Sequence, residues 1–514
     1  MAKKLKNSWK LLVKEVRNHR LVYLLLFIIL ALAFFVRVYR VDQVLGFYYD
    51  QGRDALVIWD LWHKGNFFLI GPTTGIAGIF RGPFYYYLIA PLYLLGNGNP
   101  VWPSVFLAYL SVLAIVMIYF LGAKIQNRTT GIIAAVLASF SYYIVYTSRW
   151  LSNPSPMFLL SMILVWMMFL VLEGKKYAWV MIALISGLSL FHFGSSGEFF
   201  YLPAILVFAI WTIRRQGYGG RSGLNNKTVF VSILVFLLTL APLVIFNFKH
   251  GGILHKNVGK FLFTDKSFTT PTWRFISDKL AFYYDVFTNK LFHSQYEKEK
   301  IILGMLSFVF VYFLARLSKN DKVKIILLLL ISPIIGFIFF QGNFGNVYDY
   351  YFTGYYLIFL LLVAVTLGFL WKTNLFGKVL VCYFLFLFLQ NNISVVRNMI
   401  TDKADDEISI AFVNQKKAID WVFNDAKSTS FNVDVYVPPV IPYAYDYLFL
   451  WLGNSKYGRQ PSSERVSLLY TLYEADPPHP ERLKSWLARQ KGIGKIEKEA
   501  KFGGITVQRR VRMY

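Results

Sequence analysis

The residues best equipped for chemistry stand together in Phe47-Tyr48-Tyr49-Asp50-Gln51-Gly52-Arg53-Asp54. A carboxylate here can take the proton of an attacking hydroxyl. A guanidinium can hold phosphate oxygens through parallel hydrogen bonds. Asp50 and Asp54, four residues apart, share one face if the stretch is helical. Arg53 then points elsewhere, so Asp50 and Arg53 meet most easily where the turn is still forming. The plainer alternative is a helix start, with Asp50 as N-cap and Arg53 in solvent.

The elements around this stretch are apolar. With 56% hydrophobic and 18% aromatic residues among 514, the chain reads as a polytopic membrane protein. Eleven apolar runs are long enough to be read as spans, at about 20–38, 101–122, 129–147, 155–172, 178–193, 199–213, 228–247, 301–317, 323–341, 350–370 and 377–390. Pro83 to Leu95 is shorter and reads as a helix lying in the interface, with Tyr85-Tyr86-Tyr87 at headgroup depth.

The net charge of +26 is spread in a way that argues against nucleic acid. Seven Lys/Arg precede residue 21, and alternate short links are basic: Lys124 with Arg128, Lys175-Lys176, Arg214 through Lys227, Arg316 through Lys324, and Lys372 with Lys378. That alternation is the positive-inside pattern, not one basic face. It sets the amino terminus in the cytoplasm, and it sets 39–83, 248–300 and everything after 390 outside. The first run lacks a small-residue cleavage site, so it reads as a span and not a signal peptide. The lone Cys382 permits no intrachain disulfide, and no His/Cys cluster has metal-site spacing.

Within 39–83, Asp54 to His63 has helical apolar spacing and is expected to lie on the membrane, and Leu69 to Phe80 reads as loop. Arg81-Gly82-Pro83 opens the tyrosine-rich helix. Five more candidate ligands stand at predicted outer positions: Arg149 in the 148–154 link, His192 beside the 194–198 link, Lys256 in 248–300, and Asp349 with Tyr350 after the link that begins near Asn343. Ordinary roles compete with these: a snorkelling anchor for Arg149, a satisfied helix-end group for His192 and Glu198, and a lipid-attracted basic surface for 248–300.

Past residue 390 the composition changes, with 14 of the 28 acids alongside 18 Lys/Arg. Helical periodicity at Ile410 to Phe423 and Glu481 to Arg489, and strand patterns at Val433 to Val437, Val466 to Tyr473 and Ile505 to Val511, predict a small extracytoplasmic α/β domain. The expected domains are therefore a basic tail at 1–19, a helical membrane domain at 20–390 and a soluble domain at 391–514.

An outward-facing site has no ready supply of nucleotide sugars, and no nucleotide-binding pattern occurs. A donor carried in the lipid as a polyprenyl-phosphate sugar fits, its phosphate at headgroup depth and its tail between spans. The layout resembles the C-type (GT-C) membrane glycosyltransferases, among them the protein O-mannosyltransferase and aminoarabinose transferase relatives. The resemblance rests on Asp50-Gln51-Gly52-Arg53, on Arg81-Gly82-Pro83-Phe84-Tyr85-Tyr86-Tyr87-Leu88, on Ser148-Arg149 with its following proline, and on Tyr348-Asp349-Tyr350-Tyr351. It covers roughly 20–390.

The resemblance implies that Asp50 is the acceptor-activating base and Arg53 a donor-phosphate ligand. Asp54, Arg81, Tyr85, Arg149, His192, Lys256, Asp349 and Tyr350 are the further substrate-binding candidates. Gln51 stands where the family usually has a second acid, and Asn153 where some members have one; Asp54 is placed to supply the missing charge. No cofactor or metal ligand is assigned, and divalent-cation dependence stays open. The partners implied are membrane lipids, the polyprenyl-phosphate sugar and a lipid, glycan or protein acceptor. A transporter or flippase of lipid-linked glycans is the alternative, disfavoured because charges sit at span ends and no repeated halves are visible.

Overall fold

This computed structural model describes residues 13–512 except 77, 222, 266, 341–345, 402, 403, 405, 439 and 440. The basic residues before position 13, Lys266 and the Asn343 end of the late link lie outside the described set.

All eleven apolar runs are helical. α1 (Arg20–Val38) leads into α2 (Tyr49–Lys64), α3 (Phe84–Leu95) and the long α4 (Val101–Ile125). The next run breaks at Ser141 into α5 (Arg128–Phe140) and α6 (Tyr142–Arg149), bent by 57°. α7 (Met157–Leu172), α8 (Tyr177–Leu188) and α9 (Tyr201–Gln216) follow. A second bent pair, α10 (Asn226–Thr239) and α11 (Ala241–Lys249), turns by 50° beside Pro242, whose missing N–H cannot continue the ladder. α12 (Ile253–Gly259) and α13 (Trp273–Thr288) fill the segment predicted as a large loop. α14 (Glu297–Leu317), α15 (Asp321–Phe339), α16 (Thr353–Trp371) and α17 (Leu375–Thr401) complete the bundle.

Among the described residues, seven helices are long and apolar enough to cross a bilayer, or nine if each bent pair is one span. The other two runs are the shorter apolar helices Met157–Leu172 and Tyr177–Phe193. At 1.5 Å per residue they fall somewhat short of a ~30 Å hydrocarbon layer. α16 is the central element, packed by α4, α5, α7, α14, α15 and α17. The break at Ser141 frees backbone carbonyls inside the bundle, and Arg37 of α1 takes them up. Its guanidinium is fully buried and donates to the oxygens of Ala138, Ser139 and Ala33 and to Ser111 Oγ. A buried cation with four of its five N–H donors used is a structural clamp.

The compositional change near residue 391 falls inside α17, which runs on to Thr401. Beyond it come α18 (Phe412–Ala426), β1 (Asn432–Tyr436), α19 (Tyr443–Leu452), β2 (Leu468–Glu474), α20 (Pro480–Lys491), β3 (Gly494–Phe502) and β4 (Ile505–Arg512). The strands form one sheet in the order β1-β2-β4-β3, with β1 and β2 parallel and the other pairs antiparallel. α19 lies directly on α2. A Cβ at Gly52 would stand 2.3 Å from the Ala444 backbone nitrogen, so only glycine admits this crossing. Gln415 Nε2 donates to the Phe47 oxygen, and Tyr447 and Trp451 donate to the carbonyls of Gly98 and Asn97. The carboxyl-terminal unit thus braces the segment that carries Asp50.

Candidate functional site

Every segment predicted to face outward meets at one end of the bundle, joined by hydrogen bonds. Gln51 donates to the Leu151 oxygen and Asn153 to the Phe193 oxygen. Ser195 donates to the Tyr350 oxygen, Asn257 to the Gly78 oxygen, and Lys290 pairs with Asp349.

At this end α2 begins after Tyr48, so Asp50 lies in its first turn and not at the N-cap. Asp50 and Arg53 are three residues apart on a regular helix and face each other, Nη1 to Oδ1 at 2.8 Å. This corrects the expectation that Arg53 points away. Arg53 also donates through Nε (3.0 Å) and Nη2 (2.8 Å) to one oxygen of Asp54, which accepts from the Tyr86 hydroxyl at 2.9 Å as well. Arg53 is thus held between two carboxylates, one exposed and one buried. Burial pushes the Asp54 carboxyl up to about 6, with Arg53 and Tyr86 opposing. Gln51 closes the helix start through Oε1 and the Tyr48 N–H (3.1 Å), so it is not free to act as a ligand.

A small hairpin, which Arg53 touches, carries a second arginine. Gly71 and Arg81 exchange a backbone hydrogen bond, Arg81 donates back to Pro72, and Thr73 bridges Phe80. Arg53 Nη1 reaches Thr73 Oγ1 at 3.1 Å. Thr73 and Arg81 thus stand on opposite strands of the hairpin, one touched by Arg53 and the other lining a cavity. The base is held from below, where Gly82 donates to the Phe191 oxygen at 2.7 Å. A Cβ at Gly82 would fall 2.1 Å from the His192 ring.

On the Arg81 side lies a cavity of about 530 Å3. Its polar end is formed by Arg81, Ser195, Ser196, Tyr350 and Tyr351. Its body is apolar, walled by the loop after α8, the α10–α11 break, α12 and the end of α15. Among the described residues no carboxylate lies within 4 Å of the Arg81 guanidinium, although Glu198 is close enough to bias it. Burial holds Arg81 below the usual guanidinium range. Glu198 itself is spent on Ser195 and on the Gly354 N–H.

Of the candidates read from the sequence, the structure joins Asp50, Arg53 and Asp54, which reach the hairpin through Thr73, and places Arg81, at the hairpin base, with Tyr350 in the cavity wall. Five are placed otherwise. Arg149 is buried and donates to the Val36 and Tyr39 oxygens (2.8 and 2.9 Å), where it caps the end of α1. His192 is buried against Phe84, rings stacked at 4.1 Å, with Nε2 2.7 Å from the Thr239 oxygen at the α10–α11 break. Its other nitrogen faces the Phe84 N–H, so neither is left for a substrate. Lys256 is exposed and donates to the Gly251 oxygen. Asp349 is taken by Lys290, 2.8 Å away, and by the Tyr356 hydroxyl. Tyr85 is fully buried beside Tyr86, ring centroids 6.2 Å apart, so these two tyrosines pack inside the protein and not among headgroups.

Lys290 was not among the sequence candidates. It is fully buried, 3.5 Å above the Tyr143 ring and 4.4 Å from that of Tyr356. A lysine in a loop carries no pattern to mark it. Only the packing shows that it fixes the residue before Tyr350.

Asp50 and Asp54 are both engaged by Arg53. The Arg53 guanidinium stands where a metal bridging Asp50 and Asp54 would have to sit. Among the described residues no three His, Cys, Asp or Glu side chains gather to hold one.

The fold is that of the GT-C membrane glycosyltransferases. ArnT from Cupriavidus metallidurans in the apo state superposes with a TM-score of 0.60 at 10% identity, over 96% of this chain and 98% of that one. The same protein bound to undecaprenyl phosphate gives 0.59 at 9% identity, over 95% and 97%. The Archaeoglobus fulgidus oligosaccharyltransferase AglB, in complex with an inhibitory peptide and a dolichol-phosphate, gives 0.50 at 11%, over 95% and 74%. In sequence, residues 80–246 match the family of dolichyl-phosphate-mannose-protein mannosyltransferases. No curated protein matches the chain.

Proposed function

We propose that this protein is an inverting glycosyltransferase that uses a polyprenyl-phosphate sugar at the outer face of the cytoplasmic membrane. The observation that carries the reading is the cavity at Arg81, an apolar groove ending in a desolvated cation with no carboxylate bound to it. A prenyl chain suits the groove and a phosphate suits the guanidinium, which can take two oxygens at once. That ArnT has been seen with undecaprenyl phosphate, and AglB with dolichol-phosphate, supports the same donor class here.

In this reading Asp50 takes the proton of the acceptor hydroxyl as its oxygen bonds to the anomeric carbon. The bond from that carbon to the phosphate oxygen breaks, and the pair leaves on polyprenyl phosphate held by Arg81. Asp50 suits the role because it is the exposed member of the acidic pair, oriented by Arg53. Arg53, committed to two carboxylates, positions Asp50 and passes the phosphate role to Arg81. No cofactor or metal is assigned. The 39–83 and 248–300 segments face outward with the carboxyl-terminal domain, which shapes the acceptor side.

The test is purified protein supplied with a labelled polyprenyl-phosphate sugar and candidate lipid, glycan and peptide acceptors. Release of polyprenyl phosphate together with labelled acceptor is expected. Asp50→Asn should lower transfer by about 10²–10³-fold, the usual loss on removing one such group, while the protein keeps its melting temperature. Near-normal transfer by that variant refutes the role of Asp50. Donor binding without turnover under any acceptor would favour the carrier alternative.

A further inference from the structure

A second cavity, of about 610 Å3, lies between α14 and α17 across the back of α16. Gly304, Phe308 and Tyr312 form one wall, Phe376 and Leu380 the other, and Leu370 the floor. It shares no residue with the Arg81 cavity and lies toward the far end of the bundle. α16 starts at Thr353 beside Glu198 and ends 18 residues later at Trp371, about 27 Å away by helical rise. Thr373 and Asn374, just past that end, close the slot.

Three cations adjoin its lining residues along the chain. Lys372 immediately precedes Thr373, and Lys378 immediately follows Gly377, which also lines the slot. Arg316 lies four residues after Tyr312 and three after Phe313, on the same face of α14. All three are exposed, and among the described residues no carboxylate lies within 4 Å of any of them. The neighbouring acid, Asp321, is already paired with Arg215 and Lys324.

We propose that this slot is a binding site for an anionic glycerophospholipid, one acyl chain between α14 and α17 and the phosphate-bearing headgroup at Arg316, Lys372 and Lys378. An apolar slot on a membrane-facing surface takes hydrocarbon, and the uncompensated cations at one end select the headgroup. A second copy of this chain is a poorer occupant, because a symmetric contact would set like charges against each other. The site is separate from the donor cavity, so it stands whether or not glycosyl transfer is demonstrated.

The test equilibrates the purified protein with vesicles of equal phosphatidylglycerol and phosphatidylcholine, re-extracts it in mild detergent and weighs the retained lipid by mass spectrometry. Retained lipid should be enriched in phosphatidylglycerol, and each cation removed in Arg316→Gln, Lys372→Gln or Lys378→Gln should cut the enrichment by up to about fivefold. Gly304→Trp should remove retained lipid of both kinds. A Cβ at Gly304 meets nothing within 4 Å, so the indole fills the slot without strain. Arg81→Gln, at the other cavity, should leave the enrichment unchanged. Retained lipid at the input ratio overturns the proposal, as does full retention by Gly304→Trp or loss of enrichment in Arg81→Gln. Dimers that Gly304→Trp dissociates would assign the slot to a second copy and overturn it equally.

Discussion

Arg81→Gln separates function from stability. The guanidinium is half-buried at the end of a largely apolar cavity and has no ion pair within 4 Å among the described residues, so little in the folded protein offsets its desolvation. A buried charge without a bound partner costs several kcal/mol, about 1–3 of which a neutral amide of similar reach would recover, since Glu198 offsets part of the cost at present. The variant should therefore melt at the wild-type temperature or above it. Its donor phosphate loses a charge-assisted, two-pronged contact in a water-poor site, a loss of about 10²–10³ in transfer rate and about 2–3 kcal/mol in polyprenyl-phosphate binding. Arg81→Lys keeps the charge without the fork and should fall between. The assays are thermal unfolding in detergent and equilibrium binding of polyprenyl phosphate. Wild-type binding by Arg81→Gln, or a fall in melting temperature of several degrees, would refute the assignment. Either result would show that Arg81 supports the hairpin and does not face a ligand.

Three further outcomes follow from the same geometry. Asp54 has its folded pKa raised to about 6 from about 4, so the folded state binds the extra proton and this group's stability contribution falls as pH rises through that window. Melting curves should show Asp54→Asn gaining on the wild type by about 3 kcal/mol between pH 4 and 7, and a constant gap would contradict the burial argument. Asp349→Asn leaves Lys290 buried with only Asn289, Tyr143 and Tyr356 about it. It should cost about 3 kcal/mol in unfolding free energy, the low end for a broken buried pair because Asp349 is 32% exposed. Arg149→Ala strips the cap from the Val36 and Tyr39 carbonyls and should lower the melting temperature while leaving KM for the donor unchanged; a KM effect at wild-type stability would restore Arg149 to the site.

Much of the molecule was legible because hydrocarbon imposes its rule locally. A run of apolar residues with no water to satisfy its backbone must close its own hydrogen bonds, so each of the eleven runs reads as a helix wherever it sits. Span counting was less certain, since Pro242 and the turn at Ser141 break two runs that are continuous in composition. In the carboxyl-terminal unit, β1 alternates, and the apolar β2 and β4 were visible as strands. β3 was not: its exposed Lys and Glu residues are those of an edge strand protected by charge, and they mask its periodicity.

The sequence by itself determined that the chain is a helical membrane protein, that its chemistry is gathered after the first helix, and which short segments lie at a common end. Those properties depend on residue type and on spacing along one helix or loop. Tertiary structure decided which charges are free. Arg149 and His192 look available in the sequence but are consumed by carbonyls that helix breaks and ends expose, and Asp349 is consumed by Lys290, 59 residues away. Arg81 has the same ordinary appearance and keeps its guanidinium open to a cavity built from six separate segments. A side chain's partner is set by what the fold brings within about 3 Å, and no spacing along the chain records that distance.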